Sequence, residues 1–259
     1  MQPPAPPLPV SAVLIARNEA HNLPRCLAAI APWVAEIVVV VNDCTDGTEE
    51  IARHWGARVV PHAWENFREQ KAFALALATQ EWVLALDADE EVSPTLRDEI
   101  AALVAAPGDA VAAESPRLVT FLGRPIRHGD WYPDRGLRLV RRGRAQWTGL
   151  HDHCKLVADG PVRRLRGDLL HDSFPTLGSL VRKIPFHADN FVRSRQETAP
   201  GRRWSLAETV VRSLWRFVRS YFLRLGFLDG FPGLVVSLTI GYQTFIRYAR
   251  LYEAEQETP

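Results

Sequence analysis

Cysteine is scarce in this chain: Cys26, Cys44 and Cys154 lie far apart among 259 residues and form no CxxC pair. That excludes a disulfide framework and a zinc ribbon, and it fits a reducing compartment. Net charge is nearly absent as well. Lys and Arg total 31 against 30 Asp and Glu, a formal charge of +1, so no global field exists to hold nucleic acid. The first nine residues, MQPPAPPLP, have neither a basic n-region nor an apolar h-region, so residues 1–9 are expected as a disordered Pro-rich tail. The catalytic part is accordingly expected in the cytoplasm. A glycine-rich, lysine-bearing phosphate loop is missing from the early chain, which weighs against a nucleotidyltransferase.

What is present is apolar material for one sizeable domain with an appendage: 47% hydrophobic and 24% charged residues. From Val10 onward, short apolar runs alternate with helix-like stretches. VSAVLIA precedes a helix expected over 22–31, and EIVVVV precedes one over 48–55. ARVV follows, then a helical EQKAFALALATQ and the strand EWVLAL. Strands without polar alternation, separated by helices, predict an α/β sandwich with a mostly parallel sheet between helices. Ser93 as N-cap and Pro94 at the first helical position open a helix expected to reach Ala105. Beyond Val111, AVAAESPRLVTFLG, RGLRLVRR and RAQWTGL read as strands, with loops rich in Trp, Arg and His that suit a substrate site.

In open parallel sheets, ligands sit beyond the carboxyl ends of the strands, where loops converge and helix N-termini present N–H groups. The first strand here ends in Arg17, Asn18 and Glu19; the second in Asn42, Asp43, Thr45, Asp46 and Gly47; the fourth in Asp87 and Asp89. LALDADEEV, residues 84–92, places Asp87, Asp89, Glu90 and Glu91 almost side by side. So many carboxylates repel one another without a positive partner. Their presence where a phosphate loop would show glycines and a lysine points to a metal that mediates any phosphate contact, and hard oxygen ligands favour Mg²⁺ or Mn²⁺.

In this order and spacing, LIARNEAHNLPRCLAAI, VVVNDCTDGTEEIA and WVLALDADEEV resemble the family 2 glycosyltransferases of the GT-A fold, a Rossmann-like nucleotide-diphospho-sugar transferase architecture. Within them the chain looks most like the branch that contains the lipopolysaccharide core β-1,4-glucosyltransferase. The resemblance continues through WYPDRGLRLVRR, GLHDH and YFLRLGFLDGFPG, and so covers nearly the whole chain. It implies an inverting, metal-dependent transfer of a hexose, glucose by this resemblance, from a UDP-sugar donor to a lipid-anchored saccharide acceptor such as lipopolysaccharide inner core. Asp87 is then expected to face the donor ribose or the metal, and Asp89 to bind the metal at the diphosphate. Arg17, Asn18 and Glu19, with Asn42, Asp43 and Asp46, would hold base and ribose, and Lys71 would approach the donor.

One departure stands out. The family pattern has two Asp, then Gly and Ser, before TDGT, where this chain has Val41, Asn42, Asp43 and Cys44. Asp43 takes the base contact by a one-residue shift, or Asn42 does so directly. The resemblance also assigns Asp152 in TGLHDH as the base that takes the acceptor hydroxyl's proton, one methylene shorter than the usual Glu, with His151 as the alternative. His171 matches the order of a late metal-binding histidine. Trp131, Arg138 and Arg141, beside Tyr132 and Asp134, suit an acceptor or diphosphate pocket, because flat aromatics cover sugar rings and guanidinium forks grip phosphate.

A catalytic domain over 10–195 is expected to give way to a helical region over 196–259. There, arginines at 202, 203, 212, 216, 219 and 224 face a single acid, Glu208, among apolar residues that include Trp215, Phe217 and Phe222. Arg212, Arg216 and Arg219 share one helical face. This is the composition of an interfacial helix, with Trp215, Phe217 and Phe222 in the headgroup boundary, so a peripheral position on the inner face of the cytoplasmic membrane is expected. LGFLDGFPG breaks the helix, and 230–246, short for a span and interrupted by Ser237, Thr239 and Gln243, reads as an in-plane or shallow element. The rival readings are a polyprenyl-phosphate glycosyltransferase, with Arg138 and Arg141 on the acceptor phosphate, a metal-dependent nucleotidyltransferase, and a non-catalytic membrane scaffold. The intact DAD speaks against the scaffold.

Overall fold

The computed structural model describes residues 6–149, 154–199 and 203–256. Its strands are β1 (Leu8–Ala16), β2 (Val34–Val41), β3 (Arg58–Pro61), β4 (Trp82–Asp87), β5 (Glu90–Val92) and β6 (Ala112–Phe121). They continue with β7 (Arg124–Pro125), β8 (Asp134–Arg141), β9 (Ala145–Thr148), β10 (Lys155–Ala158), β11 (Val162–Arg164) and β12 (Leu169–Phe174). The helices are α1 (Leu23–Ile30), α2 (Thr48–His54), α3 (Phe67–Ala76), α4 (Pro94–Ala105), α5 (Leu177–Thr198), α6 (Leu206–Val218) and α7 (Gly230–Gln256).

The main sheet runs β3-β2-β1-β4-β8-β6-β12-β5, with β7 and β11 added at β6, and β9 pairs with β10 on its own. Strands β1 to β4 are mutually parallel. Antiparallel pairing enters with β8 on β4 and β12 on β5. This is the expected α/β, GT-A-like arrangement.

The chain forms two compact units, Met1–Arg117 with Arg135–His171, and Leu118–Asp134 with Asp172–Pro259. In the first, the strands are apolar on both faces, and their period of two sorts side chains between two cores. Val10, Ala12, Leu14, Val39, Leu84 and Leu86 pack with Leu23, Leu27 and Ile30 of α1 and Leu96 and Ile100 of α4. Val13, Val38, Val40, Val83, Ala85 and Val140 pack on the other side with Ala74 of α3 and Ala78 just after it. In the second unit, Phe121, Ile126 and Leu180 pack against Val236 and Ile240 of α7.

Helices α1, α2 and α4 lie where the sequence places them, and Ser93 caps α4 by accepting from the Leu96 N–H at 3.2 Å. Other boundaries differ for local reasons. β1 starts at Leu8, inside the expected tail, because the Leu8 N–H donates to the Trp33 carbonyl at 2.7 Å. Helix α3 starts early because Asn66 caps it, accepting from the Glu69 N–H at 3.0 Å. Helix α5 occupies a stretch with no expected element; Pro185 inside it removes a backbone donor and argues against a helix from sequence alone. The stretch 230–246 belongs to a helix of 27 residues with one face in the second unit's core.

Candidate active site

Parity along β4 decides what Asp87 meets. Trp82, Leu84 and Leu86 face α1 and α4, so Val83, Ala85 and Asp87 face α3. On α3, Lys71 lies one helical turn before Ala74 and Leu75, which pack on that same face. Its ammonium reaches the Asp87 carboxylate at 2.5 Å. Strand β8 pairs Leu139 with Leu84 and Val140 with Val83, so Arg138 comes next in register and shares Val140's face. Arg138 donates to Asp87 at 3.1 Å and to Glu90 at 2.5 Å. Glu90 itself is 0% exposed and accepts the Asp87 backbone N–H at 3.0 Å, with Arg117 at 3.9 Å.

The crowded carboxylates thus find protein cations. Asp87 is paired to Lys71 and Arg138, Glu90 to Arg138, and Glu91 to Arg25 at 3.5 Å. The partners of Asp87 come from 16 and 51 residues away in sequence, so protein cations share in the counter-charge that the sequence alone assigned to a metal. Burial works against the Asp87 carboxylate, but Lys71, Arg138 and His171 outweigh it and hold the group well below the usual carboxylate range. A small cleft opens beside Asp87, lined by Lys71, Arg138 and Trp147, and the Lys71 ammonium sits 5.0 Å from the Trp147 ring centre.

The loops after β1 and β2 are stitched together. The Asn18 side-chain oxygen accepts from the Thr45 N–H at 2.8 Å, the Glu19 N–H donates to Thr48 at 2.8 Å, and the Ala20 N–H to Asp46 at 3.0 Å. Asn18 and Asp43 adopt positive φ of 55° and 44°, which Asn and Asp tolerate. Burial pushes the Glu19 carboxyl up, a hydrogen bond from Asn22 opposes this, and Asp89, Asp46 and Asp87 add to the rise. Those four acids therefore belong to one electrostatic neighbourhood. Asn42, only 6% exposed, keeps an amide N–H group with no hydrogen-bond partner among the described residues. A buried donor of that kind costs free energy until something accepts from it.

The donor set bears on the metal. Strand β12 pairs His171 with Glu90, which brings its Nε2 to 3.1 Å from Asp89 Oδ2. That is close to the spacing of adjacent ligands on an octahedral ion with bonds of about 2.1 Å. Among the described residues no three His, Cys, Asp or Glu side chains converge on one point. Asp89 and His171 fit a site shared with a diphosphate, because small divalent ions are held by one or two carboxylates plus phosphate oxygens.

Other expected residues fall elsewhere. Arg141 has the parity of Leu139 and lies beside Trp82 at the start of β4, 5.2 Å over that ring and 3.6 Å from Glu81, so it does not join Arg138 at the strand's far end. Trp131 packs within the second unit, stacked on Phe174 at 5.1 Å and edge-on to Phe121. Asp152 and His151 lie outside the described residues. Arg17 follows β1 as an exposed side chain. On α6 and the turn after it, Arg212 donates to Glu208 at 2.8 Å, while Arg216 and Arg219 reach Asp130, and Trp215 and Phe222 are exposed. Phe217 is half-buried, its ring stacked on Tyr221 at 5.6 Å. The sequence missed Glu90 as an anchor, Arg117 and Trp147; a third acid one strand-turn after Asp87 was the available sign of the first.

Residues 11–166 match the family model described as Glycosyl transferase family 2. An uncharacterised glycosyltransferase of Rickettsia typhi is 28% identical over 94% of this chain and 87% of its own. The lipopolysaccharide core biosynthesis glycosyltransferase LpsC of Rhizobium meliloti is 28% identical over 96% of this chain and 93% of its own. Among solved structures, TarS of S. aureus overlaps 96% of this chain and 92% of its own at 12% identity, with a TM-score of 0.46.

Proposed function

The chain belongs to glycosyl transferase family 2 and is a glycosyltransferase; from that premise we propose that it transfers a hexose, glucose, from a UDP-sugar to a lipid-anchored saccharide of the lipopolysaccharide core type, with inversion. The observation that carries the donor site is the meeting of Asp87, Asp89, Lys71, Arg138 and His171 at the carboxyl end of β4, next to the loops that hold Asn42 and Asp46. The partnerless Asn42 amide donates to a carbonyl of the pyrimidine base, which favours Asn42 over Asp43 for that contact. Asn18, Glu19 and Asp46 fix the two loops around the base and ribose. Arg17, exposed just before them, reaches the nucleotide from the solvent side.

Lys71 and Arg138 bring positive charge to the diphosphate side of the cleft, and Glu90 holds Arg138 in place from beneath. Asp89 and His171 would hold a divalent cation, Mg²⁺ or Mn²⁺, which would supply positive charge against the diphosphate of the departing nucleotide. Asp152, by the family resemblance, takes the proton of the attacking acceptor hydroxyl. The acceptor class is supported by LpsC, whose name refers to lipopolysaccharide core biosynthesis and whose similarity spans nearly the whole chain. A lipid-anchored acceptor places the work at the cytoplasmic membrane surface.

The test is calorimetry of the purified chain with UDP-glucose, UDP-galactose, UDP-N-acetylglucosamine, GDP-mannose and ATP, each with and without Mn²⁺. Metal-dependent binding of UDP-glucose is expected, weakened about tenfold by Asn42→Ala, the worth of one buried hydrogen bond. Asp89→Asn should remove the metal dependence. Binding of ATP with no nucleotide sugar would move the assignment to a nucleotidyltransferase, and binding of none of them would overturn the donor site.

A further inference from the structure

Half of the large apolar side chains that the described residues expose lie between Leu206 and Phe231. On α6 the exposed ones are Leu206, Val210, Val211, Leu214, Trp215 and Val218. At about 100° per residue they spread over half the helix circumference. A surface helix of a water-soluble protein shows the reverse, an apolar stripe inward and charge outward. Here the charges turn to the unit's own acids. Arg212 pairs with Glu208, and Arg216, Arg219 and Arg224 surround Asp130, 5% exposed, at 3.2, 3.0 and 3.4 Å.

The inner face of α6 is small and polar. Thr209 is buried, Ser213 meets Gly241 of α7, and buried Ser220, in the turn that follows α6, meets Ser237. Their hydroxyls are satisfied within the pair: Thr209 and Ser213 donate to the carbonyls four residues back, at 2.8 and 2.6 Å, and Ser220 and Ser237 share a bond of 3.0 Å. The backbones approach so closely that a Cβ on Gly241 would lie 3.1 Å from the Ser213 carbonyl, and one on Gly233 2.0 Å from that of Gly226. Small residues between helices and large apolar ones outside are the packing of helices in lipid, where water does not drive association. Between α6 and α7 the chain breaks through a π turn and a 3-10 turn that expose Phe222, Leu223, Leu225, Phe227, Leu228 and, at the start of α7, Phe231. Among the described residues no single helix is long and apolar enough to cross a membrane; the pair meets that test only jointly, bent by 70°.

We infer that α6 and the break after it are embedded in the acyl region of one leaflet, with the arginines at its edge meeting anionic headgroups; this deepens the membrane-surface part of the proposed function. The occupant is lipid rather than a second copy because a partly exposed arginine row borders the apolar arc, which a like-charged copy would repel. An arginine helix merely resting on headgroups needs no apolar half-circumference.

The experiment floats the full chain with phosphatidylcholine vesicles, with and without a third of phosphatidylglycerol, then washes them in high salt or detergent. The wild type is expected to stay on the anionic vesicles in high salt and to leave with detergent. Val211→Glu and Phe231→Glu, at positions 64% and 70% exposed, should keep the circular dichroism spectrum and bind about tenfold or more weakly. Complete release by salt overturns the embedding and leaves surface attachment standing. No flotation at all removes both. Unchanged flotation of the variants, with loss of a lipid-free dimer in Val211→Glu, would assign the face to a second copy instead.

Discussion

Glu90→Gln separates an anchor from an ornament. The glutamine keeps the shape of a side chain that is 0% exposed, so packing is preserved and only charge and hydrogen bonding change. Glu90 now accepts from both Arg138, at 2.5 Å, and the Asp87 N–H, at 3.0 Å. An amide offers one acceptor and turns its N–H₂ toward the other donor. Removing one partner of a buried ion pair costs about 3–5 kcal/mol. At the lower figure, with roughly 2–4 °C per kcal/mol for a chain of this size, the melting temperature should fall by about 6–12 °C. Thermal unfolding followed by circular dichroism reads this directly. Glu91→Gln is the control: its partner Arg25 lies at 3.5 Å and both are partly exposed, so the change should stay within about 1 kcal/mol. Equal, small shifts in the two variants would refute the claim that Glu90 anchors Arg138. Arg138→Met in the Glu90→Gln background should cost less than the two changes summed, since the charge left unpaired is gone.

Two further outcomes follow from the same structure. Gly167→Ala places a Cβ 2.3 Å from the Leu96 nitrogen and 2.4 Å from its Cα, backbone atoms in the first turn of α4, so a loss of about 3 kcal/mol or more is expected in denaturant unfolding. Glu36 reports on pH. Burial alone would raise its carboxyl, but bonds from Ser11, Thr79 and Arg58 outweigh this and lower it. A folded value below the unfolded one, about 4.3, gives stability that is full above that pH and lost as the pH falls through the folded value. The melting-temperature gap between the wild type and Glu36→Gln should therefore be constant near neutrality and shrink below about pH 4; a gap that widened on acidification would reverse the sign of the argument.

Much of this was legible in the chain itself. The doubly apolar strands predicted a covered parallel sheet, Ser93 and Pro94 predicted the start of α4, and the polar residues after β1, β2 and β4 predicted where the loops converge, because these signals depend on neighbours within one or two turns. Which cation met Asp87 was not legible. It depends on the face Asp87 takes through the alternation of β4, on the turn of α3 that carries Lys71, and on the register of β8, which admits Arg138 and excludes Arg141 three residues later. His171 likewise reaches Asp89 only through the pairing of β12 with β5. The arginine-rich helix is the sharpest case. Its composition alone predicted an interfacial helix, with the arginines at anionic headgroups and Trp215, Phe217 and Phe222 at the headgroup boundary. The tertiary structure turned three arginines onto Asp130 and left the apolar side bare. Composition states how much charge and apolar surface a helix carries; only the position of distant partners decides which side each one faces.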